Sequence, residues 1–261
     1  MDGYLMHCTM QVKNRFVRSL SQSLNLYRDL IMEHHIHLSK PVVAQLLLNG
    51  FEAFVVQHQG QVRSGIELHA SVYGKVKRGK EKTKYKVDFI SVDTTADMNG
   101  GFVASNDETQ YLKEHLAEQM GFERIGSLHT HPYLAHEGDM EFMRAEGCDF
   151  SPGDINTFTN ELNKNNKQYL IELLLTIKQN QRQNIRRDGF IGDARNVFEF
   201  SVGNCKCFLR AQAFSLDGNR KLIREMTLLE DDYLQDFEHW FTDFGRVKVK
   251  EGRKRILKYI V

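Results

Sequence analysis

The chain has 261 residues, is 41% hydrophobic and 26% charged, and sets 35 Lys and Arg against 34 Asp and Glu for a net charge of +1. That length holds one large domain, or one domain with extensions, and the composition is that of a globular protein rather than a disordered or fibrous one. So even a charge balance provides no electrostatic footprint for nucleic acid or a membrane surface.

No stretch approaches the roughly 18 apolar residues of a membrane-spanning helix. The start, Met1-Asp2-Gly3, lacks a basic region followed by an apolar run, so no secretory signal is expected. Four cysteines occur, Cys8, Cys148, Cys205 and Cys207. Read as free thiols, they point to a reducing, cytoplasmic setting.

In chain order, Val12, Phe16, Leu20, Leu24, Tyr27 and Ile31 recur at helical spacing. Residues 1–38 are accordingly expected as a helical extension, with the histidines of Glu33-His34-His35-Ile36-His37 at its solvated end. It would pack on the core or mediate dimerisation. Ser39-Lys40-Pro41 starts a second helix, with an apolar stripe of Val42, Val43, Leu46, Leu47, Phe51 and Phe54. Ile66 to Val76 and Lys84 to Val92 read as a hairpin, since Tyr85, Val87 and Phe89 alternate with Lys86 and Asp88. The basic loop between them reads as solvated.

Thr94 to Val103 is expected as loop, with Gly100-Gly101 as turn signals. Ser105 and Glu108 form a capping box for a helix whose inner face is expected to be Tyr111, Leu112, His115, Leu116 and Met120. Arg124 to His129 and Tyr169 to Ile177 read as strands, and Gly203-Asn204 as the turn of a hairpin. Cys205 and Cys207 read as core thiols on one strand face. From Glu225 to Asp243 there are seven acidic residues and no Lys or Arg, on a helical pattern; residues 246–261 hold seven Lys or Arg against one acid. The expected division is 1–38 extension, 39–215 core and 216–261 acidic helix with basic tail.

The stretch that carries chemistry is Ser127-Leu-His129-Thr-His131-Pro132, followed after an insert by Ser151-Pro152-Gly153-Asp154. Histidines two apart on a strand point to one face. Ser151-Pro152-Gly153-Asp154 reads as a helix start, with Ser151 at the N-cap, Pro152 at the first helical position and Asp154 in the first turn. Two imidazoles and a carboxylate, with one position left open, form the ligand set of a catalytic zinc site.

These elements resemble the JAMM (MPN+) metalloproteases, whose motif is His-x-His-Pro, a short loop, Ser-x-x-Asp, and a glutamate upstream. The upstream residue is similar to Glu67, which opens Glu67-Leu-His-Ala-Ser-Val-Tyr-Gly74; Glu52 is the rival, but lacks the following apolar strand and glycine. Eighteen residues, Tyr133 to Phe150, stand where the family has its short loop. They read either as a lid with an apolar underside (Phe142, Met143) or as a surface loop, with His136 and Asp139 as further candidate ligands.

The resemblance implies an α/β fold, the MPN (cytidine deaminase-like) mixed sheet flanked by helices. It implies one Zn2+ per chain on His129, His131 and Asp154. Glu67 would be general base to the zinc-activated water, and Ser151 would donate to the developing oxyanion unless capping consumes its hydroxyl. The implied substrate is an isopeptide or peptide bond at the C-terminus of ubiquitin or a ubiquitin-like protein, bound by strand addition beside the site. The alternatives are an amidohydrolase on a small conjugate and a non-catalytic MPN scaffold.

Overall fold

The computed structural model describes residues 32–55, 65–94, 97–99, 102–104, 107–165, 167–182, 187–230, 234, 246–248 and 256–258. The expected helix over Val12 to Ile31 and most of the acidic C-terminal pattern lie outside them. Among the described residues no helix is long and apolar enough to cross a membrane.

The fold is α/β. One ten-stranded mixed sheet runs β12-β1-β3-β2-β6-β7-β10-β9-β8, with β11 on β10. Its strands are β1 Glu33–Leu38, β2 His69–Arg78, β3 Lys82–Val92, β6 Glu123–Tyr133, β7 Leu170–Gln179, β8 Gly189–Phe190, β9 Val197–Val202, β10 Cys205–Leu216, β11 Leu222–Arg224 and β12 Met226–Glu230. Two small ribbons, β4 Asp97–Asn99 with β5 Phe102–Ala104 and β13 Arg246–Lys248 with β14 Ile256–Lys258, pair separately. The helices are α1 Lys40–Val55, α2 Asp107–Gln119, α3 Met140–Phe142 and α4 Pro152–Asn165.

Directly paired residues share a sheet face. On one face Leu175, Ile177 and Thr130 lie under α1, so close at Gly50 that an added Cβ would meet Leu175 at 2.8 Å. On the opposite face, Ser127, His129 and His131 of β6 align with Glu172, Leu174 and Thr176 of β7. There α4 packs Phe158 and Leu162 against Phe150, Leu170, Leu174 and Phe214. β7 is buried along its whole length, as a central strand covered on both faces must be.

Three expectations need correction. Glu33–Leu38 is a strand, not a helix end, and pairs in parallel with β3 and β12. Met226–Glu230 is likewise strand, so residues on both sides of the expected 39–215 core belong to the same sheet. Alternation explains β1: His34, Ile36 and Leu38 are buried while the residues between them are half-exposed. Two-residue periodicity is satisfied by the same histidines that suggested a helix face.

The third correction is α2. Tyr111, Leu112, Leu116 and Met120 are 74, 56, 51 and 67% exposed, so the expected inner face points outward. The inward face is polar. Ser71 Oγ donates to Gln110 Oε1 (2.7 Å), Lys113 Nζ donates to Val92 O (3.1 Å), and Glu114 faces Arg124 (3.6 Å). Ala117 is the buried apolar residue there. The sheet beneath offers hydroxyls, a carboxylate and a guanidinium, so it selects the polar stripe.

His34 yields a test. Its ring is fully buried, 2.9 Å from the Tyr85 hydroxyl and edge-on to Tyr169. Burial, with His35 adding repulsion, pushes its pKa down to about 4. The unfolded chain therefore takes up the proton first as pH falls. The His34 contribution is intact above about pH 6.5 and declines toward pH 4, by about 3 kcal/mol in total. Urea unfolding at pH 7.5 and pH 4.5 should show a smaller acid loss in His34→Phe than in the unaltered protein. Equal losses would rule out this origin.

Candidate metal centre

The end of β6 presents both histidines to one side because their positions differ by two. β2 fixes their surroundings through the pair His69 with His129. The pairing then continues past the end of β2: Leu68 N–H donates to Thr130 Oγ1 (2.9 Å) and Thr130 N–H to Leu68 O (3.0 Å). Half-buried Glu67 directly precedes Leu68 in the chain. Gly65 explains why the chain fits so closely. Its φ of +90° suits glycine, and a Cβ there would come within 3.1 Å of Pro132 Cβ.

Asp154 arrives from α4. Ser151 N–H donates to Asp154 Oδ2 (2.6 Å) and Asp154 N–H donates to Ser151 Oγ (3.2 Å). This reciprocal capping locks the first turn and the carboxylate together. Ser151 Oγ accepts in the cap, and its side chain also hydrogen-bonds the Asp154 carboxylate.

Asp154 Oδ2 lies 3.4 Å from His129 Nε2 and 3.5 Å from His131 Nε2. Tetrahedral ligands at about 2.0–2.1 Å from zinc stand about 3.3–3.4 Å apart, a spacing that the two distances from Asp154 approach, and all three ligand atoms lie within 4.8 Å of one another. His129 Nε2 is also buried without a hydrogen-bond partner. Burial alone would raise the Asp154 carboxyl. The facing imidazoles of His129 and His131, with Ser151, outweigh it and hold the group well below the usual carboxylate range. An ionised carboxylate is the ligand form a metal takes. His129, His131 and Asp154 thus form a group able to hold a metal ion.

One wall of the site is apolar. The ring centroids of Phe150 and Phe158 lie 5.8 and 6.2 Å from that of His129. Behind the histidines the face is polar. Ser127 Oγ donates to Glu172 Oε2 (2.6 Å), and Glu172 Oε1 has no hydrogen-bond partner. Complete burial, with Glu161 nearby, pushes the Glu172 carboxyl well above its ordinary range. Burial, then repulsion from His129 and Arg124, pushes His69 down to about 4, so that imidazole is neutral at pH 7.

Sequence reasoning missed His69 and Glu172. Their signals were a histidine two residues beyond Glu67 and a lone carboxylate inside an apolar strand. Glu52 sits on α1, across the sheet from the histidines, and is no rival to Glu67.

The insert is not a solvated surface loop. Met143 and Cys148 are buried against Val197 and Phe208. Asp139 Oδ1 accepts from Glu141 N (3.0 Å) and Phe142 N (2.8 Å), capping α3, which continues into a π-helical turn at Met143–Gly147. His136 is exposed. Among the described residues neither joins the ligand group. β6 is paired at His129 with β2 on one side and β7 on the other.

No protein-family model matches this chain, and no curated protein matches it. Solved structures similar to it include a Desulfitobacterium hafniense protein at 13% identity, covering 76% of this chain and 94% of that one with a TM-score of 0.37. A Salinibacter ruber protein is 13% identical, covering 75% and 92% with a TM-score of 0.31. The Trichoplax adhaerens STIL N-terminal domain is 9% identical, covering 73% and 57% with a TM-score of 0.30. What defines the class is the chain's own structure: an α/β protein with a mixed sheet and a His-His-Asp group that could hold a metal ion.

Proposed function

We propose that this protein is a zinc-dependent hydrolase of the JAMM type, built on the MPN arrangement. It would cleave an isopeptide or peptide bond at the C-terminus of ubiquitin or a ubiquitin-like protein. The observation that carries the reading is the spacing of the ligand atoms, 3.4 and 3.5 Å from Asp154 Oδ2 to the two Nε2 atoms. Zinc there would supply a Lewis acid and lower the pKa of water toward neutrality.

The chain's own residues would do the rest. Glu67 takes a proton from the attacking water and passes it to the leaving amine. Ser151, oriented by its cap, donates its hydroxyl proton to the carbonyl oxygen as negative charge develops. The Phe150 and Phe158 rings keep that side dry, which strengthens each polar interaction. Among the described residues no thiol is poised as a nucleophile: Cys148, Cys205 and Cys207 are free, buried, and raised in pKa chiefly by burial. Free thiols also accord with a cytoplasmic setting.

The purified protein should carry about one zinc per chain, and Asp154→Ala should lose it, as an open three-ligand site requires. Incubation with ubiquitin-like fusions, isopeptide conjugates and small amide conjugates, with and without chelator, tests the substrate class. Cleavage of the protein conjugates alone, abolished by chelation, is expected. Full zinc in Asp154→Ala would overturn the metal assignment. Cleavage of small amides alone would replace the substrate class while leaving the chemistry.

A further inference from the structure

We propose that Lys206 and Asp188 condense to an intramolecular amide, a covalent link that runs from the margin of β8 across β9 to β10. Lys206 Nζ donates to Asp188 Oδ1 and, at 3.1 Å, to Ser201 Oγ. Ser201 Oγ in turn donates to Asp188 Oδ1 (3.1 Å). Ser201 stands on β9 directly opposite Lys206, and Asp188 immediately precedes Gly189, which pairs with Glu199 on β9.

The two oxygens of Asp188 are treated unequally, and that points to a bond. Oδ1 receives both donors, whereas Oδ2 is buried without a hydrogen-bond partner. The side chains of Asp188, Lys206 and Glu199 are 0, 1 and 1% exposed, so bulk water does not reach them. Taking an ammonium and a carboxylate out of water is costly for both ions. Burial accordingly pushes the Asp188 carboxyl up. A proton passed from Nζ to the carboxylate, directly or through Ser201, discharges both groups at once. It leaves a neutral amine in contact with a carboxylic acid. Neutral lysine is a nucleophile, and reactants held in contact gain the advantage of proximity.

The step needs no oxidant, reductant or cofactor. The Nζ lone pair attacks Cγ, and the bond from Cγ to Oδ2 breaks. Oδ2 leaves as water, carrying the proton already transferred and a second one from Nζ. Oδ1 remains as the amide carbonyl and keeps the Ser201 hydroxyl. The one N–H left on Nζ faces Glu199 Oε1, 3.2 Å away. The departing oxygen is therefore the one that nothing satisfies, and two buried charges are removed with it. Glu199 retains Arg144. The dry surroundings that favour condensation also protect the amide from hydrolysis. Such a link persists under reducing conditions, in which the described cysteines stay free.

The test is the mass of the purified, unaltered full chain under denaturing conditions. It should be lighter by one water than the sequence requires. Trypsin cuts after Arg187, Arg195 and Arg210, and should release residues 188–195 joined to residues 196–210, uncut after Lys206. Fragmentation of that species should place the link between Asp188 and Lys206. Asp188→Ala and Lys206→Arg should each restore the full mass and lose the joined species completely. The unaltered chain decides by itself should either variant fold poorly. Its full sequence mass, with Lys206 cleaved normally, overturns the proposal. So does a water loss confined to residues 188–195, which would assign it to ring closure between Asp188 and Gly189.

Discussion

Glu67→Gln should lower turnover by roughly 10²- to 10⁴-fold, the usual worth of a positioned acid–base group, and leave zinc content and melting temperature unchanged. Gln preserves shape and hydrogen bonding but takes no proton at neutral pH. The separation of effects follows from where Glu67 sits. It is outside the ligand group His129, His131 and Asp154, so metal retention does not depend on it. It is half-buried at a strand margin, so its loss uncovers no core. It is held there by the Leu68–Thr130 hydrogen bonds and by the Gly65 turn against Pro132. Glu52→Gln, on the far side of the sheet, serves as the control and should be fully active. A dead Glu52→Gln with an active Glu67→Gln would assign the proton transfer to the wrong glutamate. Gly65→Ala should act in the same direction more mildly, because φ of +90° is strained for alanine and the new Cβ pushes on Pro132.

The parts of this molecule legible in the sequence are those governed by local rules. Ser151 as cap and Asp154 in the first turn follow from which residues satisfy free N–H groups at a helix start. The spacing of His129 and His131 needs only the two-residue period of a strand. α1 and the β2–β3 hairpin carry conventional patterns, and the structure has both. The parts that were not legible depend on distant partners. β1 is a strand because β3 and β12, far along the chain, offer it edges; the alternation in Glu33-His34-His35-Ile36-His37-Leu38 permits a strand but does not by itself decide it. α2 has an apolar stripe that sequence reasoning turns inward, yet the surface awaiting it is polar: Ser71, Asp93 and Arg124. Burial pushes the Glu172 carboxyl up and the His69 imidazole down, and no local window contains that burial.

The insert is the largest departure, and it leads to the second large expected effect. Glu199→Ala should cost about 3 kcal/mol of stability, the scale for removing one partner of a buried ionic network. Arg144 in the insert donates to both Glu199 oxygens, at 2.7 and 2.6 Å. Lys206 lies 3.2 Å from the same carboxylate and also pairs with Asp188. Deleting Glu199 leaves Lys206 with Asp188 but strips Arg144 of its bidentate partner beside a buried surface. The rest of the insert is fastened independently: Lys178 Nζ to Leu134 O (2.5 Å), Thr176 Oγ1 to Gly147 O (3.1 Å) and Arg210 Nε to Cys148 O (2.6 Å). Loosening should therefore be local, centred on residues 140–147, where Met143 is held in its apolar pocket. Its two ends run into β6 and α4, which have their own anchors, so the ligand group should keep its spacing. The expected result is a lowered denaturation midpoint, new tryptic cleavage at Arg144, and unchanged zinc content. Loss of zinc with unaltered stability would mean that the insert holds the metal centre together. Stability within about 0.5 kcal/mol of the unaltered protein, the range of ordinary surface changes, would mean that Arg144 and Glu199 are paired without holding anything.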